Sequence, residues 1–84
     1  MYFVYILKSK ANNKSSVGFT SLDVGRRLEQ HNIGSNIWTK KNGQFELIYY
    51  ESYLCKYDAL HREKFYKSGV GKRLKKLILE NYGV

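Results

Sequence analysis

Tyr2-Phe3-Val4-Tyr5-Ile6-Leu7-Lys8, followed after a short polar interruption by Ser15-Ser16-Val17-Gly18-Phe19-Thr20, is the stretch whose reading decides the fold. In the first run Tyr2, Val4 and Ile6 alternate with Phe3, Tyr5 and Leu7. Both faces are therefore apolar, as expected of a strand covered on both sides. Between the runs lies Ala11-Asn12-Asn13-Lys14, and paired asparagines tolerate the left-handed backbone of a tight reversal. The two runs read as a β-hairpin. Gly18 sits inside its second strand, where a glycine marks a bulge or a close approach to the backbone, so binding is expected near Gly18.

After the hairpin, Thr20-Ser21-Leu22-Asp23 is a weaker relative of the capping box and predicts a helix running to about residue 32. Val24 and Leu28, one turn apart, form its apolar stripe, with Arg27 and His31, also four apart, at the stripe's edge. Either alone reads as an ordinary surface residue. As a pair directly after a glycine-containing strand they suggest an anion site. Residues 32–43 show neither period and read as a loop. In it Trp38, next to Thr39 and Lys40-Lys41, could stack on a base or cap the edge of the core, the second being the plainer reading.

Phe45-Glu46-Leu47-Ile48-Tyr49-Tyr50-Glu51 predicts a third strand pairing with the hairpin in a three-stranded antiparallel sheet, with Leu47 and Tyr49 on one face and Ile48 and Tyr50 on the other. A second helix is expected from about 56 to 68, ended by Gly69 at a left-handed cap. If Ala59 and Tyr66 face the sheet, Glu63 lies between them on the same face. A carboxylate so placed needs a partner, because taking its charge out of water is expensive. That partner is either Arg27 or Arg62 in a salt bridge, or a divalent cation, and spacing leaves both readings open. Leu74, Leu77 and Ile78 predict a third, shorter helix with Lys72, Arg73, Lys75 and Lys76 on its other side and residues 80–84 fraying.

Composition narrows the function classes. At 84 residues the chain is expected to hold one domain, spanning 1–84, with a thin core. Cys55 is the single cysteine, which argues against a disulfide framework or a zinc site and fits a reducing cytoplasm. The apolar run at residues 2–7 is far too short for a signal peptide or a membrane span. Fifteen Lys and Arg against seven Asp and Glu give a net charge of +8. Polyanions are the natural partners of such a surface. Eight of the cations fall between Lys56 and Lys76, which predicts a basic flank on the C-terminal helices.

Taken in order, these pieces resemble the GIY-YIG nuclease domain, in particular its small single-domain bacterial members. Val4-Tyr5-Ile6 matches the first motif and Ser16-Val17-Gly18 the second. Arg27-Leu28 and His31 match the helix motif, Trp38-Thr39-Lys40 the loop, and residues 47–51 the third strand. Ala59, Arg62-Glu63-Lys64 and Lys67 match the second helix, so the resemblance spans about residues 2–78. It implies an α+β domain, a three-stranded antiparallel sheet flanked by helices, that hydrolyses DNA phosphodiesters with one Mg²⁺ or Mn²⁺ held by Glu63. Arg27 would neutralise the scissile phosphate, His31 would hydrogen-bond it or assist proton movement, and Tyr5 would orient or deprotonate the attacking water. Nucleic-acid contacts would fall to Trp38, Lys40, Lys41, Arg62, Lys67, Lys72 and Arg73.

The chain departs from the family pattern at Ser16, where an aromatic residue is usual; a serine hydroxyl cannot reach as far or titrate in a useful range. Slow cleavage is expected on that account, and the alternative is a catalytically impaired nucleic-acid-binding module of the same fold. A basic partner protein with neither activity is the third reading. Tyr66 stands where an aliphatic residue is common and reads as a core adjustment. The asparagine that larger members carry after the metal-binding helix has no clear equivalent.

Overall fold

The computed structural model describes residues 1–12, 14–33 and 44–82, with the side chain of His31 outside that set. The predicted hairpin is present as β1 (Tyr2–Ser9) and β2 (Ser15–Thr20). Its turn is tied by side chains standing in for backbone: Ser9 Oγ accepts from the N–H groups of Ala11 and Asn12 at 3.1 and 3.2 Å, and Asn12 Oδ1 from Lys14 N–H at 2.9 Å. β3 (Phe45–Tyr53) joins the other side of β1, giving an antiparallel sheet in the order β2-β1-β3. The central strand is thus the one whose two faces are both apolar.

Each face carries its own core. Tyr5, Leu7 and Phe45 are buried on one, packed by Val24, Leu28 and Leu47. On the other, Val4 and Ile6 are buried with Ala59, Tyr66 and Ile78. Burying an aliphatic side chain such as Ile6 contributes about 1.5–3 kcal/mol. A register shift in the β1–β3 pairing decides which residues of β3 serve which core: Ile6 pairs with Tyr49 but Leu7 with Leu47, leaving Ile48 as the extra residue of a bulge. Leu47 and Tyr49, expected on one face from simple alternation, therefore pack on opposite faces.

Helix α1 (Val24–Asn32) starts later than the capping pattern suggested. Thr20 is the last residue of β2, paired with Phe3, and its Oγ1 is taken by Leu22 N–H at 2.9 Å. Asp23 caps instead, its Oδ2 accepting from Gly25 and Arg26 N–H at 3.1 and 3.3 Å. At the far end Asn32 clamps the first residue of β3: Oδ1 accepts from Phe45 N–H at 2.8 Å and Nδ2 donates to Phe45 O at 3.0 Å. This orients α1 across the Tyr5 face. The loop expected at 32–43, with Trp38, Lys40 and Lys41, lies outside the described residues from 34 to 43.

On the other face lie α2 (Lys56–Lys67) and α3 (Gly69–Tyr82). Gly69 does not cap α2 in a left-handed conformation; it opens α3. The break is Ser68, extended at φ −82° and ψ 167°. Its Oγ donates to Phe65 O at 2.6 Å and accepts from Gly71 N–H at 3.2 Å, so one side chain ends one helix and starts the next. The third helix is longer than predicted, not shorter. Residues 80–82 remain helical, and Tyr82 stacks on Tyr49 with ring centroids 5.9 Å apart. Leu74, Ile78 and Leu79 face the core, whereas Leu77, expected on the apolar side, is exposed.

Candidate active site

Tyr5 and Gly18 are direct cross-strand partners, and partners opposite one another project to the same face. Gly18 offers no side chain there, and the Tyr5 ring fills the space: a Cβ added at Gly18 would fall on the Tyr5 hydroxyl and ring. The close approach predicted at Gly18 is therefore made by the chain's own tyrosine. Val24 and Leu28 seat α1 against Tyr5, which brings Arg27, between them on the helix, within reach. Arg27 Nε donates to Tyr5 Oη at 3.2 Å, and Arg27 Nη1 to Gln30 Oε1 at 3.4 Å. The guanidinium still has N–H donors beyond those given to Tyr5 and Gln30. Ser16 pairs with Leu7 and so projects to this same face, half-buried, two residues along β2 from Gly18.

Glu63 comes from the opposite side. Its helix, α2, packs beneath β1 and β2. Neither arginine proposed as its partner pairs with it. Lys67, one turn on, lies 3.6 Å from Oε2, and the Glu63 side chain keeps 22% of its surface exposed. Tyr5 and α2 both bear on β2, an outer strand of the sheet, from its two faces.

Arg62, expected among nucleic-acid contacts, is turned to Glu51. Its Nε and Nη2 donate to the two carboxylate oxygens at 2.9 and 3.2 Å. Tyr66 Oη donates to the same carboxylate at 2.6 Å, Tyr53 Oη at 2.8 Å and Tyr49 Oη at 3.0 Å. Arg62 also lies 4.8 and 4.7 Å from the ring centres of Phe65 and Tyr66. Burial by itself would push the Glu51 carboxyl up, but the hydrogen bonds from Arg62 and the three tyrosines outweigh it and hold the group below its ordinary range. Burial, and then the bond to Glu51, push the Tyr66 and Tyr49 phenols up, and Tyr53 up to about 12. The bond to Glu51 raises Arg62 further above its usual value.

Sequence reading missed this cluster. Its signal was present: Tyr49, Glu51 and Tyr53 alternate on one strand face, and Arg62 and Tyr66 are four apart on one helix. Tyr66 is thus a hydrogen-bond donor as well as a core residue. Of the other predicted contacts, Lys67, Lys72 and Arg73 are exposed, while Lys75, two residues beyond Arg73, is half-buried, its amine pushed down by desolvation and by neighbouring Lys72. Trp38, Lys40 and Lys41 lie outside the described residues, as does the side chain of His31.

Among the described residues no helix is long and apolar enough to cross a membrane, and no three His, Cys, Asp or Glu side chains gather in a cluster suited to a metal ion. No solved structure matches the chain. Curated proteins do, among them two bacterial relatives: UPF0213 protein YazA of Bacillus subtilis (strain 168) is 34% identical over 80 residues, 94% of this chain and 78% of its own length. UPF0213 protein SERP0126 of Staphylococcus epidermidis is 36% identical over 80 residues, 94% of this chain and 95% of its own. The GIY-YIG catalytic domain matches residues 1–77, and with a sheet and flanking helices of that fold the chain belongs to the GIY-YIG family.

Proposed function

We propose that this chain is a divalent-metal-dependent endonuclease acting on DNA phosphodiester bonds, slow because Ser16 replaces the usual aromatic, and working as one domain in a reducing cytoplasm. The observation that supports it best is the Arg27 Nε to Tyr5 Oη contact at 3.2 Å, made over Gly18. It joins one residue from each of three separate motifs. Arg27 holds the scissile phosphate through the guanidinium N–H groups not given to Tyr5 and Gln30, Tyr5 orients or deprotonates the attacking water, and His31, one turn beyond Arg27, hydrogen-bonds the phosphate or relays a proton.

Glu63 fits a hard cation. It is a partly exposed carboxylate whose Lys67 partner, 3.6 Å away, is solvent-facing, and Mg²⁺ takes one or two protein carboxylates with waters and phosphate completing its shell. Bound there, Mg²⁺ or Mn²⁺ supplies Lewis-acid stabilisation of charge on the leaving oxygen. Purified protein with plasmid and Mg²⁺ or Mn²⁺ is expected to nick it, and chelation or Glu63→Ala to stop it. Identical cleavage by wild type and Glu63→Ala would sink the reading. Ser16→Tyr should raise the rate.

Ser16 also favours a second reading, because it projects to the Tyr5 face where a phenol would serve the reaction. A binding module without cleavage predicts affinity for DNA that falls steeply with salt, by counterion release, and a shallower slope in Arg27→Ala, with no nicking under any metal.

A further inference from the structure

We propose that Glu51 is the positioning residue of this site: through Arg62 and Tyr66 it fixes the rotation of α2 about its axis, and so the direction in which Glu63 presents its carboxylate. The inference rests on the nuclease reading above.

Helix α2 buries two residues, Ala59 and Tyr66. Apolar contact along so narrow a seam holds the helix to the sheet but resists rolling weakly, because dispersion and burial are non-directional. Hydrogen bonds are directional, and Glu51 gathers them. The two-point fork from Arg62 and the 2.6 Å bond from Tyr66, one turn later, tie two levels of α2 to one carboxylate on β3. That carboxylate is held from its own strand by Tyr49 and Tyr53. The Glu51 side chain is 14% exposed, so little water competes for these bonds. Glu63 follows Arg62 directly and stands about 100° further round the helix at 3.6 residues per turn. A roll that releases Arg62 therefore turns the Glu63 carboxylate by the same angle. Glu51 touches neither phosphate nor metal in this role. It acts through the helix.

The test is Mn²⁺ binding to the protein alone, read from the electron paramagnetic resonance of free Mn²⁺, beside thermal melts of the same samples. Wild type is expected to bind Mn²⁺ and Glu63→Ala to lose it. Arg62→Lys, which cannot form the fork, and Glu51→Gln should each weaken binding by about tenfold or more while still folded. Tyr53→Phe removes a donor to Glu51 without cutting its tie to α2, so it should melt lower with Mn²⁺ affinity unchanged. If Glu51→Gln fails to fold, the comparison of Arg62→Lys with Tyr53→Phe carries the test. Equal melting losses in those two, with Mn²⁺ affinity intact in both, would overturn the inference and leave the nuclease reading standing. Equal Mn²⁺ uptake by wild type and Glu63→Ala would overturn both.

Discussion

Gly18 shows how much one missing side chain can organise. Its place in β2 leaves room for the Tyr5 ring, and the ring's position gives Arg27 Nε its acceptor. Gly18→Ala would set a Cβ against that ring, forcing Tyr5 off the guanidinium at a cost of about 1–3 kcal/mol, as overpacking usually does. Urea unfolding should show that loss, and the plasmid assay a drop in nicking larger than the fraction unfolded explains. Tyr5, Gly18 and Arg27 were legible because each sits in a short pattern with a local reason. Asn32 and Glu51 were not. Asn32 closes on Phe45 thirteen residues away, and Glu51 on Arg62 eleven away. Such partners are chosen by the packing of whole elements, which a window of sequence does not contain.

Among the elements, hydrophobic period located the three strands and the three described helices, and failed where a single residue changed the count. Alternation along β3 placed Leu47 with Tyr49, but the bulge at Ile48 hands Phe45 and Leu47 to the α1 core and keeps Tyr49 for the other. Gly69 looked like a helix end because the hydroxyl of Ser68, which does that work, gives no periodic signal. The two glycines nearby make a sharp pair. A Cβ at Gly71 would strike the Phe65 carbonyl, backbone that cannot swing aside, whereas Gly69 has nothing within 4 Å. Gly71→Ala should therefore cost at least the upper part of about 1–3 kcal/mol, and Gly69→Ala should gain about 0.4–1 kcal/mol by restricting the unfolded chain. Melting temperatures should move in opposite directions, by about 4–8 °C per kcal/mol.

For the whole molecule the Glu51 cluster sets the pH range of stability. Glu51 is lowered from 4.5 in the fold, so its contribution is complete above that value and is lost as pH falls through the folded pKa. The tyrosines are raised from 10.0, Tyr53 to about 12, so their contribution is complete below 10 and is lost as pH rises toward 12. Urea midpoints plotted against pH should fall at both ends, and Glu51→Gln should flatten both arms. The central place of β1 has a different consequence, in the order of events as the chain refolds. Pairing with β2 closes a loop of a few residues, whereas pairing with β3 must bring Tyr2 to Tyr53. The longer loop costs more chain entropy, so the hairpin forms early and the arrival of β3 sets the refolding rate. Until then one side of β1 is a bare edge, apolar on both faces, on which a second refolding chain can pair in β3's stead. Refolding yield should fall as protein concentration rises, with aggregates built on that vacant side.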